Sequence, residues 1–166
     1  SFTGSNGFRG VNPATGIVLY YQLPDVKEGE AITLEVLDAN NKTVRVISSV
    51  KDSTYRQYDG GPGPEPVLPA KKGLNRFVWN MRHATMPGVP DVYIECSYRG
   101  HKAIPGKYTA TLAAGDKKLS ADAEILANPM YPTDAATYKE YDNIMTGMEK
   151  ELTAMHKISR VLQDTE

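Results

Sequence analysis

The sequence predicts a mainly β protein, a β-sandwich of about seven strands followed by a C-terminal α-helix or helical hairpin. Short runs of alternating apolar and polar residues recur along residues 12–128, and turn residues separate them. One of these runs contains the single tryptophan of the chain. After residue 133 the apolar spacing changes from every second residue to every third or fourth, which indicates a helix.

The run at residues 74–81 is the one around which the sandwich is expected to be organised. On a strand, Phe77, Trp79 and Met81 point to the same face. Large aromatic side chains bury much apolar area per residue, so this face is predicted to belong to the core. We therefore expect a central strand here, with Trp79 buried between two sheets.

Further strands are predicted on both sides of this run. They lie at residues 17–23, 31–38, 43–50, 107–114 and 117–126, with a weaker candidate at 92–96. Turn residues at 39–42 and 115–116 join two pairs of them into hairpins. Short strands at such spacing are typical of an immunoglobulin-like sandwich. The Pro- and Gly-rich segment 51–72 is longer than an ordinary connection, so it is expected to be functional or mobile.

The chain is divided into a linker at residues 1–11, an immunoglobulin-like β-sandwich at 12–128 and a C-terminal helical segment at 129–166. Thr133 is the expected N-cap, and Asp134 suits the positive end of a helix dipole. The helix is predicted to run from Asp134 to about residue 162, or to break at Gly147, since a helical glycine costs about 1 kcal/mol.

The predicted helix carries an apolar stripe with 3-4 spacing, which is typical of helix-on-helix packing. This stripe is the predicted interface. Its residues are Tyr138, Tyr141, Met145, Met148, Leu152 and Met155. We expect part of it to pack on the sandwich and the rest to pair with another helix. That partner is its own second half folded back, a second copy in a homodimer, or a neighbouring domain.

Composition excludes several function classes. The chain has 19 basic and 20 acidic residues, a balance that does not favour nucleic acid or an anionic membrane surface. No apolar run approaches the ~20 residues of a membrane span, so no membrane insertion is expected. The single cysteine, Cys96, cannot form an internal disulfide or a cysteine-based zinc cluster. Because the chain does not begin with Met, we expect a piece of a longer protein.

No catalytic residue, metal site or cofactor is predicted. His83 and His101 flank the candidate strand at 92–96, with Asp91 between them, and their spacing matches no metal motif. They are interpreted as ordinary loop histidines. His156 lies beside the helical stripe and is interpreted as a solvated or interface histidine. Cys96 has no evident base and orienting group, so it is interpreted as a small buried hydrophobe.

The tyrosines offer a second hypothesis. Tyr55, Tyr58, Tyr93 and Tyr98 fall in or near the irregular middle of the chain. Exposed rings at these positions could stack on sugar faces. The alternative, which we favour, is that they pack the long segment 51–72 onto the sheet, because buried aromatic residues usually serve packing.

Several segments also resemble one known family. The carrying segments are residues 12–18, 32–38, 44–45, 69–79, including Pro-Ala-Lys-Lys-Gly-Leu-Asn-Arg-Phe-Val-Trp, and 105–109, together with the C-terminal helix. They resemble the C-terminal immunoglobulin-like module that follows the β-propeller in bacterial sortilin-like (Vps10/BNR-repeat) proteins. The first hairpin and the Pro-Gly-x-Tyr segment also resemble flagellar hook-capping immunoglobulin-like domains. Asn80 stands where the family leads us to expect Asp.

The resemblance implies an exported protein, periplasmic, outer-membrane-associated or extracellular, with an upstream β-propeller in the same polypeptide as partner. Such proteins are often labelled glycosyl hydrolases, and that label belongs to the propeller. The predicted function is therefore a non-catalytic accessory or interaction module of a larger exported β-propeller protein. The alternative is a carbohydrate-binding module that uses the tyrosines. An independent hydrolase is the third and weakest hypothesis.

Overall fold

Six β-strands and one long helix make up the part of the chain that the structure, a computed structural model, describes: residues 12–25, 30–89, 97–163 and 165. The elements are β1 (Ile17–Leu23), β2 (Ile32–Asp38), β3 (Thr43–Ser48), β4 (Gly73–Trp79), β5 (Gly106–Ala114), β6 (Lys117–Ile125) and α1 (Ala135–Gln163). The prediction of a mainly β chain with a C-terminal helix is confirmed. The candidate strand at 92–96 and the linker at 1–11 lie outside the described residues.

The strands form two antiparallel sheets in a sandwich-like arrangement. One contains β1 and β4, and the other has the order β3-β2-β5-β6. Both predicted hairpins are confirmed, β2 with β3 and β5 with β6. The prediction that the tryptophan strand is central is wrong for the described strands, because β4 pairs only with β1. Met81 lies beyond the end of β4, where its φ is 56°.

The core lies between the two sheets and includes Trp79, as predicted. Trp79 is 2% exposed, and its ring meets that of Tyr108 edge to face at 5.6 Å. Both polar groups are satisfied: Trp79 Nε1 donates to Arg82 O at 3.0 Å, and Tyr108 Oη donates to Ile104 O at 2.6 Å. Phe77 is buried on the same side as Trp79. The remaining buried members of the core are Leu34, Val36, Val44, Ile47, Leu68, Ala103 and Ala110.

The alternation of buried and exposed residues that a strand normally shows fails by one residue on β3. The pairing of β2 with β3 shifts at Val36 and Leu37, so Val44 becomes an extra residue of the kind found in β-bulges. Val44 and Arg45 are therefore both buried, and Val46 is exposed. The Arg45 guanidinium forms an ion pair with Glu65. This contact ties the Pro-rich segment 51–72 to the four-stranded sheet.

The helix runs without interruption through Gly147, so of the two predicted alternatives the continuous helix is confirmed and the helical hairpin is wrong. Asp134, and not Thr133, is the N-cap, because Thr137 N donates to Asp134 Oδ1 at 2.7 Å. This hydrogen bond lowers the pKa of Asp134. At 1.5 Å per residue the helix is roughly 43 Å long. Among the described residues no helix has both the length and the apolarity to cross a membrane.

Candidate functional site

The helix docks on two loop segments, residues 81–88 and 98–103, which run antiparallel to each other. His83 N donates to His101 O at 3.0 Å, and Ala103 N donates to Met81 O at 2.8 Å. Gly100 permits this close approach: a Cβ there would lie 2.5 Å from Ala84 O and 2.7 Å from His83 O. The pair of loops therefore presents two histidines side by side to the helix.

His101 is the centre of the contact between the loops and the helix. Its side chain is fully buried, and its Nε2 lies 3.1 Å from Asp142 Oδ1. On the other side, His101 Nδ1 lies 2.9 Å from Glu149 Oε2, outside hydrogen-bonding geometry, while the His101 backbone N donates to Glu149 Oε1 at 2.6 Å. Asp142 and Glu149 are seven residues apart, which is about two helical turns, so they lie on one face of α1.

His83 completes a cluster of four titratable side chains, which we call the junction cluster: His83, His101, Asp142 and Glu149. The two imidazoles stack at a centroid distance of 3.9 Å and an interplanar angle of 16°. His83 Nε2 lies 3.7 Å from Asp142 Oδ1. Burial, followed by the neighbouring His101, lowers the pKa of His83, so its imidazole is neutral at pH 7.

A third histidine anchors the helix further along. His156 is 8% exposed, and its Nδ1 lies 2.6 Å from Pro87 O. Because a carbonyl oxygen can only accept, Nδ1 carries the proton. The Tyr98 ring meets the His156 ring edge to face at 6.0 Å. His156 therefore belongs to the buried face of α1, where the sequence had suggested a solvated or interface position.

A second face of α1, beside the buried one, is apolar and exposed. The predicted interface stripe is divided: Tyr138, Met145 and Leu152 are half-buried, whereas Tyr141, Met148 and Met155 are 43%, 55% and 58% exposed. Ile144, Ile158, Val161 and Leu162 are exposed as well, each above half. We call the set Tyr141, Ile144, Met148, Met155, Ile158 and Leu162 the outer face.

The tyrosines predicted as a ligand site lie in packed positions. Tyr55 and Tyr58 are half-buried, and Tyr98 is 6% exposed. Tyr55 Oη donates to Pro62 O at 3.0 Å, within the long segment itself. The hydroxyl of Tyr58 is buried beside Gly88, which also adjoins the Tyr98 ring. Tyr93 lies outside the described residues, and the glycan site as a whole stays a prediction.

A polar cavity of about 520 Å³ lies between segment 51–72 and the two loops. Arg45, Arg82 and Arg99 line it, which by charge would suit an anion. Two of these guanidinium groups already have partners. Arg45 pairs with Glu65, and Arg82 Nη1 donates to Gly100 O at 2.9 Å. Their present role is to hold the loops that carry the histidines.

The sequence argument missed Asp142 and Glu149, because it considered only residues near the histidines in the chain. One signal could have found them. Asp142, Glu149 and His156 recur every seven residues, which forms a polar stripe parallel to the apolar one. Comparison with protein-family models, with curated proteins and with solved structures finds no match.

Proposed function

We propose that this domain is a non-catalytic interaction module, and that the outer face of α1 pairs with the same face of a second copy. The carrying observation is the exposure of the outer face along nearly the full length of the helix. Tyr141, Ile144, Met148, Met155, Ile158 and Leu162 follow a 3-4 pattern with Glu151 at its middle. This spacing is the one by which two helices pack against each other.

The size of the outer face supports a dimer. Six side chains at about half exposure present on the order of 700 Å², against roughly 800 Å² per partner in a standard interface. Exposed apolar patches on monomers seldom exceed about 600 Å². A two-fold axis lets one patch serve both copies, because the contact is then self-complementary.

Antiparallel order fits the side chains of the outer face. An axis near Glu151 places Met148 opposite Met155 and Ile144 opposite Ile158, so that residues of equal size meet. The same axis brings the two copies of Glu151 near each other, a repulsion that limits the affinity and is weaker at high salt. Opposed helix dipoles favour the same order.

The wider context of the module rests on the family resemblance. On that basis the sandwich is immunoglobulin-like with a seventh strand, and the domain serves a larger exported protein whose upstream β-propeller is a second partner. The segment 69–79 supports this proposal, because it is the fairly specific stretch among those that carry the resemblance. Binding of a glycan by the tyrosines is the alternative, and no observation on their rings favours it over packing.

Sedimentation equilibrium tests the pairing. The wild-type chain is expected to form a dimer with a Kd near 1–10 μM, about 7–8 kcal/mol of association free energy. Met148→Lys combined with Ile158→Lys should leave a monomer, because two buried ammonium groups oppose association. Leu119→Lys is the matched control, since Leu119 is 71% exposed on β6, away from the helix.

The stability of the double variant separates pairing from folding. Both side chains are solvent-exposed in the single chain, so the free energy of unfolding of the monomer should change by no more than about 0.5 kcal/mol. A wild-type chain that stays monomeric at about 100 μM contradicts the pairing. So does a dimer that survives the double substitution, or one that Leu119→Lys disrupts equally.

A further inference from the structure

The junction cluster contains two carboxylates that lack a permanent positive charge. The side chains of Asp142 and Glu149 are only 22% and 16% exposed. Within the described part of the chain, no lysine or arginine forms an ion pair with either of them; the ionisable groups nearest to them are the two imidazoles. Burying a carboxylate without a compensating cation is costly. A cation bound at the cluster would remove that cost.

The environment of His101 indicates where such a cation belongs. In the neutral tautomer that carries its proton on Nδ1, that proton lies on the side of Glu149, whose Oε2 is 2.9 Å from Nδ1. Its Nε2 faces Asp142 Oδ1 at 3.1 Å. With the proton on Nδ1, the Nε2 lone pair and the Asp142 oxygen are two acceptors that face each other. A cation between them is attracted to both atoms. An imidazole held from behind by a carboxylate is the usual arrangement of a metal-binding histidine.

We propose that His83, His101 and Asp142 bind a divalent transition-metal ion of the Zn²⁺ type, with Glu149 as the positioning residue behind His101. One donor atom from each of the three ligands lies within 4.8 Å of the others. Metal–ligand bonds of about 2.1 Å at tetrahedral angles separate donors by roughly 3.4 Å. The distances of 3.1 and 3.7 Å from Asp142 Oδ1 to the two imidazole Nε2 atoms bracket that value.

Metal binding requires one change in the cluster. The lone pair of an imidazole nitrogen lies in the ring plane, and two nearly parallel rings 3.9 Å apart cannot both aim at one ion. His83 must therefore turn out of the stack. Within the described residues no hydrogen bond holds its ring in the stack, because His83 Nε2 is 3.7 Å from Asp142 Oδ1, beyond hydrogen-bonding distance, and the hydrogen bonds of His83 involve its backbone.

The ligand set selects among metals. Two imidazoles and one carboxylate suit Zn²⁺ and its transition-metal neighbours, whereas Mg²⁺ and Ca²⁺ prefer oxygen ligands. Since the histidines belong to the loops and Asp142 belongs to α1, the ion would join the helix to the sandwich. This inference does not rest on the pairing through the outer face, although Tyr141 of that face meets the His101 ring edge to face at 6.0 Å.

Calorimetric titration with Zn²⁺ tests the site, in a Cys96→Ser background that removes the one thiol able to compete for the metal. One ion per chain is expected, and Mg²⁺ should give no heat. His83→Ala and Asp142→Asn should each weaken binding at least about 100-fold, and Glu149→Gln about 10- to 100-fold. Glu140→Gln, which changes an exposed carboxylate on the same helix outside the outer face, is the matched control and should bind like the background.

A second measurement needs no substitution in the cluster and so does not depend on the folding of a variant. Long-range ¹H–¹⁵N spectra of the imidazoles should show Zn²⁺-induced shifts at Nε2 of His83 and His101, with His156 unchanged. Absence of binding at about 1 mM Zn²⁺ overturns the proposal. Binding that Asp142→Asn leaves intact, or shifts confined to His156, overturns it as well.

Discussion

The two internal junctions of this molecule are built from opposite kinds of side chain. Between the sheets, Trp79, Phe77 and Tyr108 form an apolar contact in which the few polar groups donate to backbone carbonyls. Between the helix and the sandwich, buried His101 meets two carboxylates. The first junction is stabilised by apolar burial, which needs no particular geometry. The second depends on charge, protonation and alignment, so it is expected to respond to solution conditions.

This difference explains the orientation of α1. A helix on a soluble domain usually turns its apolar stripe inward. Here the stripe of Asp142, Glu149 and His156 turns inward, and much of the apolar stripe remains in solvent. The loops under the helix offer backbone groups and histidines as partners, which an apolar face could not satisfy. The helix therefore has its hydrogen-bonding surface on the sandwich and its apolar surface available to a partner.

Trp79→Ala should break the sheet-to-sheet junction and has the largest expected effect. Removal of a buried tryptophan costs about 3–5 kcal/mol, a large part of the stability of an ordinary domain. Chemical denaturation measures the loss, and Tyr20→Ala is the matched control, since Tyr20 is 64% exposed on β1. If both variants lost the same free energy of unfolding, burial of Trp79 would not be what stabilises the sheet-to-sheet junction.

The sheet-to-sheet junction could be predicted from the sequence, because period-two alternation depends only on neighbouring residues. The hairpins β2–β3 and β5–β6 and the burial of Trp79 follow from such local patterns. The bulge at Val44 could not, since it depends on how β3 pairs with β2. The partnership of β4 likewise depends on contacts made across the chain.

The junction cluster could not be predicted from local sequence patterns. His83, His101 and Asp142 are brought together by a loop crossing at Gly100 and by the docking of a distant helix. The helix itself was predictable to within a few residues. Its rotation was not, because two stripes with the same period, one apolar and one polar, compete for the sandwich, and only the shape of the loops decides between them.

Glu149→Gln should weaken the helix-to-sandwich junction locally. The substitution keeps the side-chain shape but removes the charge beside His101 Nδ1 and weakens the bond from the His101 backbone N. Loss of a charged partner of this kind costs about 1–3 kcal/mol. Hydrogen exchange should rise along α1 while the amides of the sheets keep their protection.

Glu140→Gln serves as the comparison for this experiment, because Glu140 is exposed on the same helix and is not part of the outer face. It should leave exchange along α1 as in the wild type. A uniform rise in exchange across both sheets and the helix in the Glu149 variant would show that the two junctions unfold as one unit.

Tyr108→Phe gives the smallest effect at neutral pH and shows where the sheet-to-sheet junction becomes sensitive to pH. Loss of the bond from Tyr108 Oη to Ile104 O should cost about 0.5–1.5 kcal/mol at pH 7.

Burial raises the pKa of Tyr108 to about 12, while in the unfolded chain the phenol ionises near pH 10. The neutral phenol therefore contributes its full stability below pH 10, and this contribution is lost as the pH rises towards 12. The wild type should lose stability across that window relative to the Phe variant, so the difference narrows and then reverses. Denaturation midpoints at pH 7, 10 and 11.5 measure it, with exposed Tyr20→Phe as the control. A difference that stays constant from pH 10 to 11.5 would mean that Tyr108 is ionised as readily in the folded chain as in the unfolded one.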